Sequence, residues 1–340
     1  MKAVLIVGGG LAGGMLALAL RERGVEVSLI ADQAPSATQW SYGVIPGLPL
    51  GTSALALQAA KASTLWTELQ ARYGELGWGK ARLALHGGKP WAPLVPLPAA
   101  QVDTARFHAR LPEVLRQAGV RLLATEALRV QWDQGQWLVP CRDGSVQRSG
   151  QLVLAAGAAC RSLWPAWPEV LRGNWAGVLE LPHCPAARLQ LPSQFQRPAV
   201  ERRSGELNQP CSVVDAGLVP RGAGALLGQI SCFAPGLAFS APPPGMDQAL
   251  RKAIAASPLP KGLAEAEGVW HQVPVAFSTT GIPWAGPLPE APGLFGFSGF
   301  SGGFAQIPLL APLLADVLAT GSATARRQLE QLQVWPPSFS

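Results

Sequence analysis

The chain opens on an unbroken apolar run, Val4-Leu5-Ile6-Val7, followed by the glycine-rich stretch Gly8–Gly14 and a second apolar run, Met15–Leu20. A short apolar run bounded by glycine reads as a buried strand, and a longer one apolar on every side reads as a buried helix. Val25–Ile30 alternates polar and apolar positions, the period of a strand, and ends at Ala31-Asp32. Residues 54–74 place Leu57, Ala60, Leu65 and Leu69 near one helical face, and a helix over 104–118 is closed by Gly119. Residues 120–124, 127–132 and 136–140 read as short strands with a turn at Asp143-Gly144. Gln151–Ala159 is a buried strand that ends in Ala-Ala-Gly. Residues 172–280 are rich in short strands and prolines, which predicts a second, mostly antiparallel sheet. Gly293–Phe304 leads into an apolar helix over about 305–319, and the rest of the chain reads as a peripheral tail.

Composition narrows the class. The 340 residues are 48% hydrophobic and only 14% charged, enough to bury a large core in two intimately joined domains. With 38 glycines and 32 prolines, the elements are short and separated by many turns. The net charge is +6, but the basic residues are scattered, which argues against a nucleic-acid surface. Five cysteines, far apart and without a C-x-x-C, predict reduced thiols, a cytoplasmic setting and no metal. The first twenty residues read as strand, turn and helix, since the central glycines would weaken a leader helix. No run of about 18 apolar residues is free of glycine and proline, which argues against a membrane span.

The chemistry begins at the first turn. Gly8, Gly10 and Gly13 form G-x-G-x-x-G between a strand and a helix. That unit places the unpaired N–H groups and partial positive charge of a helix N-terminus, here at Gly10, Leu11 and Ala12, under a pyrophosphate. An acidic residue at the end of the second strand would hold the ribose; the slot itself is Ala31, and Asp32 follows it. Ala156 and Gly157 let a second strand end run close to the same ligand, with tight strand–helix packing as the other reading. The turn Gly299–Gly303 with Phe304 opens the last helix and offers another N-terminus to an electron-rich group.

Several segments together carry a resemblance. They are Gly8–Gly13; Thr38-Gln39-Trp40-Ser41-Tyr42-Gly43; Leu154–Ala158; Leu218–Gly222; Gly281–Gly286; and Gly299-Phe300-Ser301-Gly302-Gly303-Phe304 with Pro308. Over residues 3–320 the set resembles the D-amino-acid oxidase-like FAD enzymes, which include glycine and sarcosine oxidases and the oxidase half of a tRNA wobble-uridine enzyme. The resemblance implies an α/β fold in which a Rossmann-like FAD-binding domain (1–75, 100–172, 281–325) is interleaved with a β-rich antiparallel substrate domain (76–99, 173–280). It implies non-covalent FAD, with Thr38, Gln39, Trp40, Ser41 and Gly43 passing the isoalloxazine, Ala156 and Gly157 by the adenosine half, and Gly299, Gly302, Gly303 and Phe304 at the flavin pyrimidine carbonyl. Tyr42, Phe300 and Ser301 fall where substrate would lie. The implied reaction oxidises a C–N bond of a small amine or amino-acid-like substrate by hydride transfer to flavin N5, with O2 or another acceptor taking the electrons.

One departure limits the substrate. Family enzymes hold a substrate carboxylate with an arginine, whose planar fork binds it bidentately. The corresponding stretch here, Trp270–Gly281, has none, and the last glycine turn offers Ser301 and Gly302. The openings left are an amine, a larger apolar substrate in a pocket of Trp40, Tyr42, Phe277, Trp284 and Phe300, or a carboxylate held by Arg202, Arg203 or Arg221. His271 reads as structural before catalytic. A tRNA-modifying oxidase and a catalytically silent FAD-binding protein are the alternative functions.

Overall fold

A computed structural model describes residues 3–32, 34–49, 51–87, 96–237 and 241–336; Leu50, at the end of the aromatic loop, and the last four residues of the tail lie outside these. In chain order the elements begin with β1 (Ala3–Val7), α1 (Leu11–Glu22), β2 (Glu26–Ile30), β3 (Val44–Pro46), α2 (Ala54–Ala59), α3 (Ala62–Tyr73), β4 (Trp78–His86), β5 (Leu97–Val102) and α4 (Thr104–Gln117). Then come β6 (Arg121–Leu123), β7 (Gln131–Asp133), β8 (Gln136–Pro140), β9 (Val146–Ser149), β10 (Leu152–Leu154), α5 (Cys160–Leu163), β11 (Leu171–Leu181), β12 (Gln190–Pro192) and α6 (Arg197–Arg203). The chain continues with β13 (Cys211–Arg221), β14 (Gly224–Phe233), α7 (Met246–Ala255), β15 (Val269–Ser278), β16 (Trp284–Pro287), β17 (Leu294–Ser298), α8 (Gly303–Thr320) and α9 (Ala323–Gln331).

Two sheets organise the molecule. The first runs β16-β17-β10-β1-β2-β6, parallel except for β16. Its strands are buried on both faces, which is why Val4–Val7 and Leu152–Leu154 read as continuous apolar runs. α1 and α8 pack on one face, where Leu16, Leu20, Leu310 and Leu314 are fully buried. α8 is long and apolar enough to cross a membrane, but half of it is buried inside this core. The second sheet runs β15-β11-β14-β13-β12-β4-β5-β3 and is antiparallel apart from β12–β4. A three-stranded sheet, β7-β8-β9, completes the fold.

Three boundaries differ from expectation. The single helix over 54–74 is two, α2 and α3, broken around Ala60-Lys61. The strand expected over 151–159 stops at Leu154, and a 3-10 turn at Gly157–Ala159 follows, entered by Gly157 at φ +57°. The segment from 326, expected to be peripheral, is docked. Leu329 is fully buried in the α1–α8 core, and the Trp335 ring lies against Gly286. Its polar sequence hides this because only one face of α9 is apolar.

Candidate cofactor and substrate site

The site starts at the carboxyl end of β1, the central strand between β10 and β2, where an open parallel sheet offers a crevice. A Cβ on Gly8 would lie 2.4 Å from the Ala155 carbonyl oxygen, and one on Gly13 would lie 1.9 Å from the Gly8 oxygen. These two glycines therefore serve close packing of strand, turn and helix. Gly10 differs: a Cβ there would meet only the Thr38 hydroxyl, at 3.0 Å, so it faces open space above the helix end. No side chain caps α1 through Gly10, and the one neighbour that reaches the turn is Thr38, whose Oγ1 accepts from the Leu11 N–H at 2.9 Å. Gly157 and Gly302 are likewise open. At the start of α8, Gly303 stands beside Leu11, a Cβ on it lying 3.6 Å from that side chain. Two helix N-termini, neither capped by a side chain at its N-cap residue, thus meet at one place. This cradle fits an elongated dinucleotide with a pyrophosphate at α1 and an electron-rich ring carbonyl at α8.

The loop 38–43 is fixed from three sides. Thr104 Oγ1 donates to the Gln39 and Ser41 carbonyls, Arg221 Nη1 donates to the Gln39 carbonyl at 2.9 Å, and the Gly43 N–H donates to Ser41 Oγ. Gly43 has φ +64°, and a Cβ would lie 2.1 Å from the Val102 oxygen, so glycine is required there. The Trp40 ring is sandwiched. His271 stacks on one face at 3.4 Å between centroids, and the Arg221 guanidinium lies over the ring at 4.4 Å. Glu180 ties the outer layers together, 2.9 Å from His271 Nε2 and 3.5 Å from Arg221 Nε. Burial pushes the Arg221 pKa down, opposed by Glu180. His271 is structural in this stack, and Arg221 is a buried support of the loop.

The expected aromatic pocket does not assemble. Trp40 is enclosed in its stack, Phe277 packs edge-on to Phe233 at 5.5 Å, Trp284 packs on Trp167, and Phe300 on Phe297 at 4.8 Å. Phe304 is also core by its side chain, between Trp66 and Phe107, while its carbonyl accepts from Trp66 Nε1. Aromatic residues win more by burying area together than by lining a cavity. Ala156 precedes the open Gly157 turn, and Ala12 lies in the first turn of α1. Asp32 is exposed just past β2, and Gly299, at φ +84°, packs on Leu171 and Ser278.

Tyr42 is half-buried, and its buried hydroxyl has no hydrogen-bond partner. Burial, then the nearby Asp215 charge, hold its pKa well above the ordinary tyrosine value, so it is a neutral phenol. Around it lies a polar group that the sequence does not announce. Asp215 accepts from the Gln196 and Arg197 N–H groups at 2.6 and 3.1 Å, capping α6. Arg197 Nη2 donates to the Ser301 carbonyl at 3.2 Å, tying α6 to the last glycine turn, and its Nε lies 3.5 Å from buried Glu201. Burial pushes the Glu201 carboxyl up. Arg202 and Arg203, offered above as carboxylate ligands, are exposed on α6; Arg197 is the residue of that helix that turns inward. A single Arg-Pro at a helix start carries no sequence signal for this.

Residues 3–86 match the FAD-binding domain family. Solved structures with the same fold include glycine oxidase from Geobacillus kaustophilus (19% identity, 96% of both chains, TM-score 0.71). They also include L-amino acid deaminase from Proteus myxofaciens (13%, 99% of this chain and 93% of that one, 0.68) and L-proline dehydrogenase from P. horikoshii (14%, 95% of both, 0.64). A comparison with curated proteins finds no match. The fold is therefore the one that these oxidase, deaminase and dehydrogenase structures share, and the FAD-binding domain match makes the dinucleotide FAD.

Proposed function

We propose that this FAD-binding chain is an oxidoreductase that oxidises the C–N bond of a small amine or amino-acid-like substrate. The observation that carries the reading is the meeting of two helix N-termini at Leu11 and Gly303, each keeping N–H groups beyond those that Thr38 and Gln306 accept. FAD, when bound, supplies a two-electron acceptor at N5, and O2 or another acceptor takes the electrons afterwards. The residues supply position and field. The N–H groups of Gly10 and Ala12 would face the pyrophosphate, that of Leu11 being held by Thr38 Oγ1, and the first turn of α8 would stabilise negative charge on the ring carbonyl. The Thr38–Gly43 loop, held by Thr104 and Arg221, sets where the ring lies. Val200 of α6 packs on Phe277 and would help to keep water from the reacting C–H. Such a transfer needs a donor carbon close to N5 in a dry pocket and no obligatory acid–base pair.

The test is anaerobic addition of amines, N-methyl amino acids and α-amino acids to the yellow protein. Loss of the flavin absorbance with one class identifies the substrate class, and readmission of air then reports whether O2 restores the band. A flavin band that dithionite bleaches and no amine does would contradict the proposed activity and favour a binding role.

A further inference from the structure

A cleft of about 390 Å³ lies between α5 and the start of β11 and borders the Gly157 turn at Ala158. Arg161, Ser162, Arg172 and Leu237 are among its lining residues. Two arginines face one small space, and no carboxylate forms an ion pair with either among the described residues. Arg161 is spent as a donor: the carbonyls of Trp167, Pro168 and Leu171 each accept from it at 2.7 Å. Those carbonyls hold the guanidinium in place without cancelling its charge. Burial, and then the neighbouring Arg172 charge, push its pKa down. Arg172 is different. Its Nη1 donates to the Gly236 carbonyl at 2.9 Å, but its Nε is buried with no acceptor. Two residues further along the same face of β11 stands Asn174, 2% exposed, with neither amide atom hydrogen-bonded.

Buried donors without acceptors cost free energy, and so do two like charges held close together. Both costs vanish if an anion sits between them. We propose that this cleft binds a small oxyanion, a carboxylate or a phosphate, with Arg172 Nε as donor and Arg161 as a fixed, fully engaged positive charge. The site stands whether or not the flavin reading holds.

Calorimetric titration of the purified protein at constant ionic strength tests it, with acetate and inorganic phosphate in separate arms and chloride as the control. The proposal expects saturable binding in at least one arm, and the arm that binds names the source of the oxyanion. Arg172→Gln keeps the shape but removes the charge, and should weaken that binding about tenfold or more. Asn174→Asp places a negative charge on the same face and should weaken it as well; it is the variant to read if Arg172→Gln does not fold. Absence of saturable binding in both arms overturns the proposal, as does binding that a folded variant leaves unchanged.

Discussion

At the residue scale, identical glycines do different work, and this separates stability from cofactor binding. Gly13→Ala would drive a methyl into the Gly8 carbonyl, so it should lower the melting temperature whether or not FAD is present. Gly10→Val would crowd only the Thr38 hydroxyl, 3.0 Å from a Cβ there, and would occupy the space above the helix end. It should fold with a near-normal apoprotein melting temperature and lose most of its FAD, as visible absorbance per chain reports. Glu201 gives a pH prediction. Its folded pKa is raised, so folding favours the protonated form, and a cost appears as pH rises above the ordinary carboxylate range. Glu201→Gln should therefore gain melting temperature relative to the parent at pH 8 and show no gain at pH 4. An equal difference at both pH values would contradict this. The G-x-G-x-x-G spacing was readable because backbone chemistry fixes it. The charges near Tyr42 were not, because Asp215 and Arg197 come from elements more than 150 residues away in sequence.

At the scale of elements, α6 shows how a short helix becomes part of a site. Its seven residues are too few to hold a helix by propensity, so its fixed points are Asp215 at the N-terminus and Arg197 on the Ser301 carbonyl. Asp215→Ala should cost about 1–2 kcal/mol in denaturant unfolding, the usual loss for a helix cap. It should also raise KM more than it lowers kcat, because the covering helix is loosened while the cofactor contacts stay. β2 was legible from period two, β1 and β10 from continuous apolar runs, and the longer helices from their apolar residues. The break between α2 and α3 and the stop at Leu154 were not, since the residues that follow each, Ala60-Lys61 and Ala155-Ala156, carry no proline and no glycine.

At the scale of the molecule, α9 lies on the core that α1 and α8 build. Arg23, the C-cap of α1, holds Asp316 of α8 with two hydrogen bonds of 2.7 and 2.9 Å, and α9 lays Leu329 into the same core. Leu329→Ala should destabilise the whole protein by about 2–5 kcal/mol and lower FAD retention with it, because α8 carries both the core and the second helix N-terminus. The α/β class and the interleaving of segments were visible in the order of the glycine turns. The docked C-terminus was hidden because its single apolar face is short. The measurement that tests the account most directly is the flavin content of the purified protein after reconstitution. The account predicts one FAD per chain, released intact by acid denaturation as a non-covalent cofactor must be. A colourless chain that takes up no FAD would contradict it, and the glycine turns would then be packing devices alone.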